Sequence, residues 1–182
     1  GIEGSGFVYA PHRIVTNAHV VAGTSRVGVR VNSETLPATV VTYDPRRDIA
    51  VLAVPDLDAQ PLQFSQAAGT RGDPAVVLGY PEDGPFSIRP ARVRSRDTVS
   101  GSDIYGKGTV HRNVYSVYAV VRSGNSGGPL LAADGSVLGV VFATALDSSN
   151  TGYVLSDSEI APDVAAGRAA GVPVGTGHCT PG

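Results

Sequence analysis

Arg122-Ser123-Gly124-Asn125-Ser126-Gly127-Gly128-Pro129-Leu130 sets one serine among three glycines. Glycine tolerates positive φ and lets a ligand approach the main chain closely. A reactive serine needs both properties: an exposed hydroxyl, and nearby N–H groups that can face a developing oxyanion. An ordinary glycine-rich turn has the same composition, so the stretch needs partners elsewhere. It also fits a Gly-x-Ser-x-Gly elbow through Gly124, Ser126 and Gly128. That elbow requires a helix directly after the serine and the order serine, acid, histidine. Gly127-Gly128-Pro129 is a poor helix start, and the one histidine after Ser126 is His178, in a Gly/Pro-rich tail.

Two upstream stretches supply the partners. In Ile14-Val15-Thr16-Asn17-Ala18-His19-Val20 a histidine follows a β-type run, at the mouth of a turn. In Asp44-Pro45-Arg46-Arg47-Asp48-Ile49-Ala50-Val51-Leu52, Asp48 opens an apolar strand and can set its carboxylate at the strand end. Asp44 competes with it, but Asp44-Pro45 reads as turn chemistry. His12 and His111 read as ordinary surface or core histidines. The order His19, Asp48, Ser126 is one of three unrelated chain orders in which a histidine, an acid and a serine recur as a catalytic unit.

Composition restricts the rest. The chain has 182 residues and a formal net charge of −2, and 42% of it is hydrophobic. It is long enough for a substantial core without metal or disulfide support. Lys107 is the one lysine, and no basic cluster exceeds Arg46-Arg47. Nucleic-acid binding is therefore not expected. No apolar run reaches the ~18 residues of a membrane span. Cys179 is the single cysteine, and His178-Cys179 lacks metal-ligand spacing. Neither a metal nor a cofactor is expected. Cys179 reads equally as a buried thiol or as half of a disulfide.

With 23 glycines and 13 prolines, the sequence suits many short strands joined by turns. The expected strands are Gly6–Tyr9, Arg13–Thr16, Arg26–Val31, Thr35–Tyr43, Ile49–Ala53, Ala75–Leu78, Ser87–Ser95, Val114–Val121, Val137–Ala143 and Gly152–Leu155. About ten such strands imply a sandwich or barrel. A short helical turn is expected at Ala18–Val21. A helix is expected within Ser156–Ala170, opened by a Ser156/Glu159 capping box and shortened or kinked by Pro162. Pro55–Pro74 breaks the strand rhythm and reads as a linker between two β-units.

Thr16-Asn17-Ala18-His19, Asp48-Ile49-Ala50-Val51 and Gly124-Asn125-Ser126-Gly127-Gly128-Pro129-Leu130 together resemble the three signatures of trypsin-like serine proteases. Gly4-Ser5-Gly6-Phe7-Val8 resembles the opening strand of the bacterial HtrA-type branch. Gly72–Pro81 and the tail Pro173–Cys179 are similar to the actinobacterial membrane-anchored periplasmic serine proteases of acid resistance. The resemblance implies an all-β fold of two six-stranded antiparallel Greek-key β-barrels with a short C-terminal helix. The first barrel would take residues 1–68, the second 69–155, and the helix and tail 156–182.

The resemblance also implies a His19-Asp48-Ser126 triad, with the Gly124 and Ser126 N–H groups as oxyanion hole. Val120, Phe142, Ala143, Thr144 and Gly152 would contact a polypeptide substrate. Val120 stands where relatives cutting after Arg or Lys carry Asp, and Val141 where glutamate-specific relatives carry His. An uncharged, apolar residue is therefore expected before the scissile bond. Asn125 replaces the Asp that pairs with a new N-terminus in digestive relatives, so that mode of activation is not expected. Phe142 replaces a Ser or Thr that bonds the catalytic Asp, which leaves Asp48 in need of another partner. A periplasmic, membrane-anchored monomer is implied, anchored through segments outside this chain. Cys179 would then be disulfide-bonded to a cysteine upstream of residue 1. The alternative is a resting or non-catalytic peptide-binding domain of the same fold.

Overall fold

The computed structural model describes residues 3–181. Eleven strands form two antiparallel sheets. The first holds β1 (Phe7–Ala10), β2 (Arg13–Thr16), β3 (Val27–Val31), β4 (Glu34–Asp44) and β5 (Ile49–Ala53), in the order β1-β2-β5-β4-β3. The second holds β6 (Pro74–Gly79), β7 (Ser87–Gly101), β8 (Val110–Tyr118), β9 (Pro129–Ala132), β10 (Val137–Thr144) and β11 (Thr151–Ser156). These close into a barrel in the order β10-β11-β8-β7-β6-β9. Helix α1 (Ala18–Val21) follows β2, and α2 (Asp157–Gly167) follows β11.

The second sheet has the six expected strands and closes. The first has five among the described residues, where six were expected, and it stays open between β1 and β3. A cavity of about 570 Å³ opens along this side, lined among others by Gly4, Val20, Val27, Val29, Tyr80 and Pro85.

β5 explains why one apolar run reads so strongly. Side chains alternate across a strand. Ala50 and Leu52 fill the interior of the first sheet with Ile14, Val21 and Val40. Ile49 and Val51 face the other way, into a cluster with Val114, Leu131, Val137, Val140 and Leu155 of the second sheet and Ile160 and Val164 of α2. Burial of each such side chain is worth about 1.5–3 kcal/mol, so this shared cluster fixes one sheet on the other.

Residues 55–73 do not hang free as a connector. Phe64 makes a parallel bridge to Val137, and its ring packs 6.3 Å from that of Phe7. β9 was not expected as a strand: it is short, starts at a proline and follows Gly127-Gly128. Pro129 is tolerated as its first residue. Helix α2 has half of the expected capping box. Ser156 Oγ accepts from Glu159 N–H at 3.2 Å. The Glu159 carboxylate instead accepts from Asn113 N–H at 3.0 Å and meets Arg47 Nε at 3.5 Å.

The tail returns to the first sheet. Val174 N–H donates to Val40 and Gly23 N–H to Thr176, each at 2.9 Å. The His178 ring stacks on Tyr105 at 4.1 Å. Cys179 is exposed and unpaired among the described residues; a partner upstream of residue 1 lies outside them. No described helix is long and apolar enough to cross a membrane.

Candidate active site

Asn17 is the N-cap of α1, yet its side chain caps nothing there. Its Nδ2 donates to the Asp48 carbonyl at 2.9 Å, which ties the start of α1 to the start of β5. His19 lies in the first turn, where helical N–H groups lack internal partners. Its N–H donates to Asp48 Oδ1 at 2.9 Å, and its Nδ1 lies 2.7 Å from Oδ2. One carboxylate therefore grips both the backbone and the ring of His19. Because Oδ2 accepts, Nδ1 carries the proton and Nε2 is left as the basic nitrogen.

Asp48 is 4% exposed and has φ +63°, a left-handed conformation that Asp tolerates better than most residues. The turn before it is stapled by Asp44, whose Oδ1 accepts from the N–H groups of Arg46 and Arg47 at 2.9 and 3.0 Å. Asp44 is thus a turn residue, as its Asp-Pro context indicated. The partner that Phe142 cannot supply to Asp48 is the His19 backbone N–H.

Ser126 sits in the loop before β9, and this loop is held from outside. The Ser123 carbonyl accepts from Glu82 N–H at 2.7 Å, and the Asn125 carbonyl from Gly128 N–H at 3.0 Å. In a trans peptide the C=O and the following N–H point in opposite directions. These two bonds therefore turn the N–H groups of Gly124 and Ser126 away from the loop's own partners. Neither donates a hydrogen bond to another described residue, whereas the intervening Asn125 N–H is used on Arg122.

Glycine is required at two points. Gly124 has φ +92°, and a Cβ there would lie 2.9 Å from Glu82 N. Gly127 has φ +91°, and a Cβ there would strike the Ser5 carbonyl and Thr16 Oγ1.

Ser5 is the residue that sequence reading missed. Its Oγ donates to the Gly124 carbonyl at 2.6 Å and accepts from Tyr80 N–H at 3.0 Å. Its own N–H donates to the Ser126 carbonyl at 2.8 Å, and its carbonyl accepts from Thr16 Oγ1 at 2.7 Å. A side chain on Gly4 would meet both Val20, next to His19, and the Ser126 carbonyl. The residues before β1 are therefore the seam between the His19–Asp48 pair and the Ser126 loop. The His19 ring bonds Asp48 alone, and the Ser126 hydroxyl makes no hydrogen bond among the described residues.

The expected substrate contacts are more dispersed. β10 pairs with β9 only through Val140, whereas Phe142–Thr144 lie beyond that pairing, with Ala143 and Thr144 matched to β11. Their other edge is unpaired by strand. Val120 is 38% exposed. Gly152 is buried, and the space beside it is occupied by Val121, whose Cγ2 would lie 2.7 Å from a Cβ there. No cluster of described residues could hold a metal ion.

The trypsin-like peptidase domain family matches residues 4–140. The serine protease Rv3671c of Mycobacterium tuberculosis is 49% identical over 98% of this chain, and the match covers 45% of that protein. A probable periplasmic DegP-like serine endoprotease of Chlamydia pneumoniae is 33% identical over 84% of this chain and 30% of its own length. The chain thus spans less than half of these relatives. A crystal structure of the M. tuberculosis Rv3671c protease in its active form superposes with a TM-score of 0.95 at 49% identity, over 98% of this chain and 78% of that one. The inactive form of the Rv3671c protease gives a TM-score of 0.83 over 89% of this chain and 82% of the other. With the motif residues assembled at one seam between two antiparallel sheets, the chain belongs to the trypsin-like peptidase family of serine proteases.

Proposed function

We propose that this chain is a serine endopeptidase that cleaves polypeptides through an acyl-enzyme, with His19, Asp48 and Ser126 as its triad. The observation that carries this reading is the His19 ring locked on Asp48 with Nε2 free, across the Ser5 seam from a serine flanked by two unengaged N–H groups. The closer likeness to the active form of the Rv3671c protease supports it.

Ser126 Oγ attacks the scissile carbonyl as His19 Nε2 takes its proton. The Gly124 and Ser126 N–H groups receive the oxyanion; losing one such donor costs about 3–4 kcal/mol. The C–N bond then breaks, and the imidazolium gives its proton to the leaving amine. Water, deprotonated by the same nitrogen, releases the acid and restores Ser126. Asp48 orients the ring and stabilises the imidazolium throughout. The Ser126–His19 hydrogen bond forms when substrate excludes water, since such bonds are often long in the free enzyme.

Substrate would pair as an extended strand with the free edge of Phe142–Thr144. An apolar, uncharged side chain would pack near Val120, because a cation there has no buried carboxylate to meet. Gly152 would bound that pocket, kept shallow by Val121. The residues act within a single chain, so a monomer suffices. Periplasmic placement, membrane anchoring through upstream segments, a role in acid resistance and a disulfide from Cys179 to an upstream cysteine are proposed with it, on resemblance to the same relatives.

The reading is tested by digestion of fluorescent casein at neutral pH. The parent should release peptides, whereas His19→Ala and Ser126→Ala should not. Equal release by parent and Ser126→Ala would remove Ser126 from the chemistry.

A further inference from the structure

Arg112, on β8, is 8% exposed, among the least accessible charged side chains of the molecule. Its guanidinium donates from Nε to the Arg46 carbonyl at 2.8 Å and from Nη1 to the Ser102 carbonyl at 3.1 Å. Its Cζ stands 5.9 Å from the centre of the Phe142 ring. These contacts come from the β4–β5 turn, the β7–β8 loop and β10. Among the described residues Arg112 forms no direct ion pair.

A buried cation without a paired anion is costly, and a guanidinium does not escape the cost by losing its proton. Backbone carbonyls and an aromatic face offset part of it. Burial pulls the Arg112 guanidinium below its ordinary value, and Asp48 is the foremost of the carboxylates that oppose this, ahead of Glu159, Asp103 and Asp44. Arg46, whose carbonyl it holds, lies two residues before Asp48.

We propose that Arg112 is a positioning residue for the triad, holding the Asp44–Asp48 turn against the second barrel and placing a buried positive charge beside the turn that carries Asp48. The inference rests on the triad reading given above. It also accounts for Phe142. Where a hydroxyl would bond the carboxylate, an aromatic ring seats a cation that acts on it from a distance. The other charged or titratable groups around this centre are Tyr43, Asp44, Arg46 and Arg47 of the first sheet and its turn. Asp103 acts on it from the β7–β8 loop and Glu159 from α2; Tyr105 and Lys107 share that loop and Asp163 that helix. None of these is altered in the test.

The test is an NMR pH titration of the His19 imidazole, assigned with His19→Gln, in the parent, Arg112→Gln and Arg112→Lys. Gln keeps a hydrogen-bond donor and removes the charge; Lys keeps the charge and loses the fork. Loss of a nearby positive charge favours the imidazolium, so the His19 midpoint should rise by about half a pH unit to one unit in Arg112→Gln. It should stay at the parental value in Arg112→Lys. The acid limb of fluorophosphonate labelling against pH should move by the same amount.

A folded Arg112→Gln protein with an unmoved midpoint would overturn the inference. If Arg112→Gln does not fold, a shifted midpoint in Arg112→Lys would overturn it as well, because charge is what that variant retains. Labelling of Ser126 with no shift defeats this inference and leaves the protease reading intact. A shift in Arg112→Gln, with a parent that never labels, defeats the protease reading and leaves the coupling to His19 intact.

Discussion

The two sheets hold their halves of the site in different ways. The open five-stranded sheet presets its half: one Asp48 carboxylate accepts from the His19 backbone and ring, so the proposed base and its orienting acid come as a finished pair. The closed barrel presents Ser126 on a loop whose shape is imposed by neighbours: Glu82 on Ser123, Ser5 on Gly124 and Ser126, and Val141 on Gly127. The first half is set by local geometry between α1 and the β4–β5 turn. The second depends on a seam formed by residues before β1, more than a hundred positions away in sequence. The Ser126 side of the proposed site should therefore be the more easily disturbed.

The largest effects should come from breaking the preset half. Asp48→Asn should lower kcat by about 10⁴-fold with an unchanged circular dichroism spectrum, because an amide at Oδ2 favours the wrong His19 tautomer. A fall of less than tenfold would mean that Asp48 does not orient the base.

Next is the imposed half. Gly127→Ala should abolish fluorophosphonate labelling while leaving the His19 NMR titration in place, since the added methyl meets the Ser5 carbonyl and φ +91° disfavours it. Retained labelling would show that the loop does not need the Ser5 contact. Ser5→Ala is milder. It leaves the Gly124 carbonyl and Tyr80 N–H without their shared hydroxyl, at a cost of about 1–2 kcal/mol. That should appear as a roughly tenfold loss in kcat/KM, with a fall in Tm of about 2–8 °C.

The smallest expected effect lies behind the Asp48 turn. Burial, and then repulsion from Asp44, raises Asp163 to about 6 from its ordinary 3.8, against an attraction from Arg47. Its Oδ2 is buried without a hydrogen-bond partner. A carboxyl raised in the folded state adds stability that is complete below about pH 4 and lost as pH rises through about 6. Asp163→Asn should thus be more stable than the parent above pH 7, by about 1–2 kcal/mol. The advantage should fade as pH falls to 4, as thermal melts across that range would show. A constant difference at all pH values would place the ionisation elsewhere.

Much of this was legible in the chain. Arg13–Thr16, Ala18–Val21 and Ile49–Ala53 form where their β-branched runs and turn punctuation indicate. Asp44 stands aside from His19 because its Asp-Pro context makes it a turn residue. What stayed hidden depends on distance in sequence. β9 has no periodicity of its own and exists because β6 and β10 pair with it on either side. The Ser5 hydroxyl sits between two glycines like any loop serine, and its partners lie at Tyr80 and Gly124. Gly152 was placed beside the substrate by the resemblance alone, and nothing in the sequence shows that Val121 fills the space its missing Cβ leaves.

The central claim is that Ser126 is an activated nucleophile in a site this chain assembles. The most direct measurement is fluorophosphonate labelling read by intact mass, on the parent and on Ser126→Ala. The account predicts one adduct on the parent and none on the variant. An unlabelled parent at neutral pH, or an adduct that survives Ser126→Ala, would contradict it.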